Sequence, residues 1–359
     1  MVSVISPVAM RLPFMARGPL SEWVIHVLTG VRDIDDEGAS LARTCAANTS
    51  DAVRDDDLHT ALYVLYASMY GSFDALDAAL EWHPKLIAVR CELEARFEHD
   101  LRAEVGRPGA EEVAPTLDAV ARALFAMTGA DSGPSLSRYV AKKANADQVR
   151  EFLIQRSVYT LREADPHSWA IPRLQGRPKA ALVEVQADEY GGGRPDRVHA
   201  TLFAIAMEGA GLTSTYGAYV DDVPAITLAN HNMMSMFGLQ RRLIGAIAGH
   251  LAAFEMTSSI PNRLYADGMR RLGFSSAVTD YFDEHVEADA VHEQIAGRDL
   301  AGSLVEDRPE LRDDVLFGAA ACLYMDGCVG RHILQAWEHG ASSLRGAGAD
   351  WNQHDRQAM

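Results

Sequence analysis

Cysteine is scarce. Cys45, Cys91, Cys322 and Cys328 are the only four in 359 residues, and no two form a C-x2-C pair. A disulfide scaffold is not indicated, and a reduced, cytoplasmic setting is expected. Positive charge is also short, with 33 Lys and Arg against 50 Asp and Glu, a net charge of −17 at pH 7. Phosphates would be repelled, so neither nucleic acid nor an anionic membrane is expected as a partner, whereas a cationic small substrate or metal ions would suit such a surface. Long apolar runs are missing: no window reaches the roughly 18 uninterrupted apolar residues that a span requires. The apolar N-terminus, MVSVISPVAMRLPFMARGPL, is interrupted by Pro and Arg and has no preceding basic region, so it reads as neither a signal peptide nor a span. Alternating strand patterns, internal repeats and low-complexity tracts are lacking as well. The GGG at 191–193 has no strand before it, which leaves a dinucleotide-binding reading without support.

What the chain does have is helical periodicity in a globular composition, 48% hydrophobic and 23% charged. Amphipathic segments fall at 59–82, 84–105 and 111–127. After a Gly, Ser and Pro cluster, TGADSGPSLS at 128–137, longer ones follow at 145–164, 177–190, 195–209, 224–257, 276–299 and 309–339, with a break or kink expected in the fourth. The expectation is an all-α protein: an N-terminal helical segment over 1–130, which packs on the rest or serves dimerisation, and a helix bundle over 140–345.

One helical segment carries chemistry. In DEHVEADAVHEQ, His285, Asp289 and His292 form H-x3-D-x2-H, and steps of four and three put all three on one stripe of a helix. Two imidazoles and a carboxylate aimed the same way make half of a metal site. The other half should lie on facing helices, as polar residues on otherwise apolar stripes. Glu189 shares a face with Val185 and Leu182; His199 sits with Leu202, Phe203 and Ala206; Glu255 follows Leu251, Ile247 and Ile244. Burying such an acid without a partner costs several kcal/mol, about what an isolated charge in apolar surroundings implies. Glu189 and His199 are ten positions apart, a rotation of about 80° on a continuous helix. Gly191 to Gly193 and Pro195 would break that helix and let both turn inward. His250 and Glu184 are weaker candidates because each faces away from its neighbour's stripe, and Asp326 reads as a buried acid that orients a ligand or bonds to backbone.

The ordered set Glu189, His199, Glu255, His285, Asp289 and His292, with the flanking READPHSWAIPRLQGRPKAALVEVQADEYGGGRPDRVH, resembles the haem-oxygenase-like diiron oxidases, or iron-containing redox enzymes, over roughly residues 140–340. The resemblance implies a haem-oxygenase-like helical bundle that binds two ferrous ions, with dioxygen as co-substrate and an external electron donor. By the same resemblance Glu189, His199 and His285 would hold one iron and Glu255, Asp289 and His292 the other, with manganese as the usual substitute. N-oxygenase members carry a further carboxylate on the preceding helix. Glu163 lies where it would be, and its replacement by Ala is expected to weaken the second iron. Those members continue into a cupin domain where this sequence stops, so their later nitrosamine-forming step is expected to be absent.

Glu163, the long N-terminal helical segment and the acidity favour oxidation of nitrogen, to an N-hydroxy or nitro product, on a small amine, guanidine or amino-heterocycle in natural-product biosynthesis. A diiron oxidase that desaturates or cleaves the carbon chain of an amino or fatty acid, and a non-catalytic iron-binding protein, stay open. A haem oxygenase would need a proximal histidine in a carboxylate-poor pocket, which these acids contradict. Substrate contacts are expected within 212–238.

Overall fold

The computed structural model describes residues 12–108, 112–130 and 135–346, apart from the side chains of 287–291. Among the described residues there is no strand. The chain divides into two compact units, one up to Asp100 and one from Leu101 on.

In the first unit α1 (Pro19–Leu28), α2 (Glu37–Asn48) and α3 (Asp56–Met69) lead into α4 (Pro84–Val105), whose last turn begins the second unit. Helix starts here are secured by carboxylates that accept from otherwise unpaired amides. Asp55 caps its own helix at Leu58 N, 2.9 Å away, and Asp57 reaches across to Leu20 N and Ser21 N of α1 at 2.9 and 2.7 Å. Trp23, Val24, Val27 and Leu28 of α1 are buried, as are Leu58, Leu62 and Tyr66 of α3. The helix expected over 59–82 ends instead at Met69, because Gly71 takes a left-handed φ of +61°.

The second unit comprises α5 (Leu117–Gly129), α6 (Leu136–Lys142), α7 (Ala146–Thr160), α8 (Asp165–Ser168), α9 (Gly176–Glu189), α10 (His199–Gly209), α11 (Ala225–Leu239), α12 (Ile244–Arg271), α13 (Ser276–Gln294), α14 (Ser303–Asp307) and α15 (Arg312–Glu338). The cluster anticipated as a linker at 128–137 covers the end of α5, the start of α6, and residues 131–134, which lie outside the described residues. α12 is central and packs on α6, α13 and α15. Its seam with α15 is backbone to backbone: a Cβ on Gly249 would strike the Val315 carbonyl, and one on Gly318 the Ala246 carbonyl.

The break anticipated in 224–257 occurs at Gln240, with φ −85° and ψ 109°, and separates α11 from α12. α12 then runs on through Pro261 to Arg271, well past the expected end. α13 passes into a π-helical stretch, Ile295–Gly302, a geometry of longer hydrogen-bonded turns often found near functional positions. Among the described residues one helix, 241–271, is long and apolar enough to cross a membrane by length and composition, and 67% of its most apolar window is buried inside the structure.

Candidate metal centre

α7 ends at Thr160, and the chain turns before α8 through Ala164, at φ +71° the one positive-φ residue other than glycine among the described residues. That conformation costs an L-residue roughly 1–2 kcal/mol. It is held by two bonds: Ala164 N donates to the Tyr159 hydroxyl at 3.3 Å, and its carbonyl accepts from Gln186 Nε2 at 2.8 Å. The turn directs Glu163 into the bundle, where the Tyr281 hydroxyl lies 2.8 and 2.9 Å from its two oxygens.

Glu189 closes α9 and His199 opens α10. Between them Gly191, Gly192 and Gly193 have φ of +72°, +59° and +81°, and a Cβ on Gly191 would lie 2.7 Å from the Arg197 carbonyl carbon. Only glycine permits so tight a reversal. It brings Glu189 Oε2 within 3.0 Å of His199 Nδ1, with both side chains buried, as the tri-glycine break anticipates.

On α13 the two histidines present opposite nitrogens. His285 Nδ1 donates to the Tyr281 carbonyl at 2.8 Å, since a carbonyl can only accept, which leaves a lone pair on Nε2, 3.7 Å from Glu163 Oε1. Its ring is 4.4 Å from that of His199. In His292 it is Nε2 that donates, to Asp188 Oδ2 at 2.9 Å. The buried Nδ1 has no hydrogen bond among the described residues and lies 3.5 Å from Glu255 Oε2, contributed by α12.

The result is two groups of possible ligands. In each, one donor atom per residue lies within 4.8 Å of the others: Glu163, Glu189, His199 and His285 in the first, Glu189, Glu255 and His292 in the second. Glu189 belongs to both. The side chain of Asp289, anticipated as a ligand of the second group, lies outside the described residues. Glu163 stands with the first group, whereas the resemblance led to the expectation that its loss would weaken the second.

The donor chemistry fits divalent iron. No lysine or arginine forms an ion pair with Glu163, Glu189 or Glu255 among the described residues; each of these buried acids faces an imidazole, and Glu163 also the Tyr281 hydroxyl. The hydrogen bonds of His285 Nδ1 and His292 Nε2 leave the other nitrogen of each ring directed at an acid, and mixed carboxylate and imidazole donors suit non-haem Fe(II). Burial pushes the Glu255 carboxyl up, and Glu189 adds to this. Burial opposes charge on His292, but Glu255 and Asp188 outweigh it and raise the imidazole to about 9. Burial likewise opposes ionisation of Glu163, yet His285, His199 and Arg156 hold it below the usual carboxylate range. A metal entering the second group at neutral pH therefore displaces a proton.

Several contributors had no sequence signal. Tyr281 and Asp188 look like ordinary helix residues, although Tyr281 lies one turn before His285 and Asp188 adjoins Glu189. Asp326, read as buried, is exposed and accepts from Asn230 Nδ2 at 3.0 Å, because that face of α15 points to the surface. His250 bonds to His167 at 3.1 Å, away from Glu255, and Glu184 is exposed, as their helix faces imply. Of the segment 212–238, α11 places His231 and Asn232 in the interior.

A protein family described as iron-containing redox enzymes matches residues 150–327, a span that holds both groups. A nitrosourea synthase from Streptomyces achromogenes subsp. streptozoticus is 29% identical over 194 residues, which is 54% of this chain and 41% of that protein. The chain thus spans less than half the length of that relative. Among solved structures, a CADD-like protein of unknown function from Nostoc punctiforme has 17% identity and a TM-score of 0.44, over 67% of this chain and 98% of that one.

Proposed function

Because residues 150–327 belong to the iron-containing redox enzymes, we propose that this haem-oxygenase-like helical bundle is a non-haem diiron N-oxygenase, which oxidises the nitrogen of a small amine, guanidine or amino-heterocycle in natural-product biosynthesis in the cytoplasm. The observation that carries the reading is the pair of buried acid and imidazole groups sharing Glu189. The relative's name, nitrosourea synthase, denotes a product that contains an oxidised nitrogen and supports nitrogen as the site of attack.

Two ferrous ions, replenished by an external donor, would supply the electrons for reducing dioxygen. The chain's own residues set the conditions. Glu163, His199 and His285 would hold one ion and Glu255, His292 and Asp289 the other, with Glu189 between them. Tyr281 orients the Glu163 carboxylate through its hydroxyl and the His285 ring through its carbonyl, so one residue aligns two donors. Asp188 does the same for His292. The apolar stripes of α9, α10 and α12 around these groups exclude water.

The test is iron per chain after anaerobic Fe(II) loading, followed by mass analysis of amines, guanidines and amino-heterocycles incubated with the loaded protein, a reductant and dioxygen. About two irons, falling when His285 or Glu255 is replaced by Ala, together with oxygen gained on nitrogen, is the expected result. Loss of hydrogen or of a carbon fragment would move the reaction to carbon. Iron uptake without substrate-dependent oxygen consumption would leave a binding protein, and no iron at all would reduce the groups to a structural polar network.

A further inference from the structure

Tyr190 is a phenol that neither metal group uses. It follows Glu189, the acid shared by both groups, so the two α-carbons are about 3.8 Å apart, and it is 36% exposed. Its hydroxyl lies 2.9 Å from Asp165 Oδ1 and 2.9 Å from Ser168 Oγ. An ionised carboxylate can only accept, so the phenolic proton points to Asp165. The Tyr190 oxygen then accepts from Ser168, and Ser168 accepts from Gln186 Nε2 at 2.7 Å. Asp165 is two residues beyond Glu163 and belongs to neither metal group. Tyr190 is thus tied by its backbone to one candidate ligand and by its hydroxyl to the neighbourhood of another.

Two other tyrosines border the Glu163 turn, and neither is so placed. The Tyr281 hydroxyl bonds to Glu163, itself a member of the first group, and the residue is 1% exposed. The Tyr159 hydroxyl accepts from Ala164 N and is hydrogen-bonded to no acid among the described residues. Near neutral pH a phenol gives up an electron readily only when a positioned base takes its proton at the same time. Tyr190 meets that condition through Asp165, and its exposure lets a reductant in solvent reach the ring. A centre that reduces dioxygen with no substrate in place has oxidising equivalents that fall on its own side chains, a competing reaction the site has to contain.

We propose that Tyr190 is the outlet through which oxidising equivalents leave the centre when no substrate is bound. Tyr190 passes one electron to the oxidised centre, and its phenolic proton moves to the Asp165 carboxylate, which leaves a neutral phenoxyl radical and a carboxylic acid. A one-electron reductant from solvent, such as ascorbate, then supplies the electron while Asp165 returns the proton, and both residues are restored. The net change is one electron moved from the reductant to the centre. This rests on the diiron reading for the source of the oxidising equivalents, but the pairing of Tyr190 with Asp165 is independent of iron.

The experiment adds dioxygen to the full chain after anaerobic Fe(II) loading, without substrate and with a nitroso spin trap, and locates the trapped radicals by peptide mass analysis. The trap should mark Tyr190, and ascorbate should suppress the mark. Asp165→Asn keeps the phenol but removes the base, and should cut the yield at Tyr190 by about tenfold or more. In Tyr190→Phe the damage should move inward, to peptides that carry Tyr281, His199 or His285. In heavy water the mark on the unaltered chain should form more slowly, because the proton moves with the electron, and this arm serves if a variant does not fold. Iron-dependent oxygen consumption with no mark at Tyr190, or a mark that neither Asp165→Asn nor heavy water affects, overturns the proposal. Failure of the iron reading looks different: no iron binds and dioxygen leaves no mark, yet photochemical oxidation of the metal-free chain by a ruthenium bipyridine complex still marks Tyr190 in a way that depends on Asp165.

Discussion

Replacing Asp188 by Ala tests the second metal group without removing a ligand. The bond from His292 Nε2 to Asp188 Oδ2, 2.9 Å long, fixes one proton on Nε2, so Nδ1, 3.5 Å from Glu255 Oε2, is the nitrogen a metal can take once its proton is displaced. Removing a carboxylate that orients a ligand histidine typically weakens metal binding by about 10- to 100-fold. Two features place the expected loss near the lower end. The Asp188 side chain is 60% exposed, so solvent screens its charge. It also helps hold His292 protonated, so its loss relieves part of the competition between proton and metal. The net expectation is about tenfold at the Glu255 and His292 position, no change at the Glu163 and His285 position, and a change in folding stability within about 0.5 kcal/mol, as for a surface substitution. Asp188→Asn, whose amide oxygen can still accept, should lose less. Anaerobic Fe(II) titration with bound iron counted at each step reads all of this. Two unchanged steps, or equal weakening of both, would refute the assigned role of Asp188.

Glu189→Gln should depress iron binding at both positions, whereas Glu255→Gln should spare the first and leave about one iron per chain, as iron analysis after removal of loose metal would show. Gly191→Ala forces a Cβ to within 2.7 Å of the Arg197 backbone at φ +72°, whereas Gly192→Ala, at φ +59°, meets nothing within 4 Å. Both should lose roughly 1–2 kcal/mol through backbone strain, but only the first should lose more than that and release iron; equal melting temperatures would contradict this. Burial holds His59 and His167 down to about 4, so the native state refuses protons that the unfolded chain takes up below its usual 6.5. Their contribution is complete above pH 6.5 and is lost as pH falls toward 4, by about 2 kcal/mol each at pH 5. The urea midpoint should therefore drop between pH 7 and 5, and by less in His59→Gln.

The sequence by itself determined the helical class, the order of the long helices and most of the candidate ligands. Period 3.6 and polar residues on apolar stripes are local properties of a helix: Glu189, Glu255 and His199 betray burial through their apolar neighbours on one face, and His285 and His292 share a stripe through their own spacing. The tri-glycine turn was legible for the same reason, since glycine's freedom at positive φ is a property of one residue. Helix ends were less so, because α12 continues through Pro261 on the strength of packing against α6, α13 and α15, which no local pattern records. Partnership was decided only by tertiary structure. That Glu189 stands in both groups, that Glu163 joins His199 and His285, that Asp188 and Tyr281 orient histidines, and that Asp326 faces the surface all depend on how distant helices meet. Arg156 is the plainest case: an arginine on an amphipathic helix is ordinary in sequence, and only the folded chain shows its Nε buried without a hydrogen bond among the described residues.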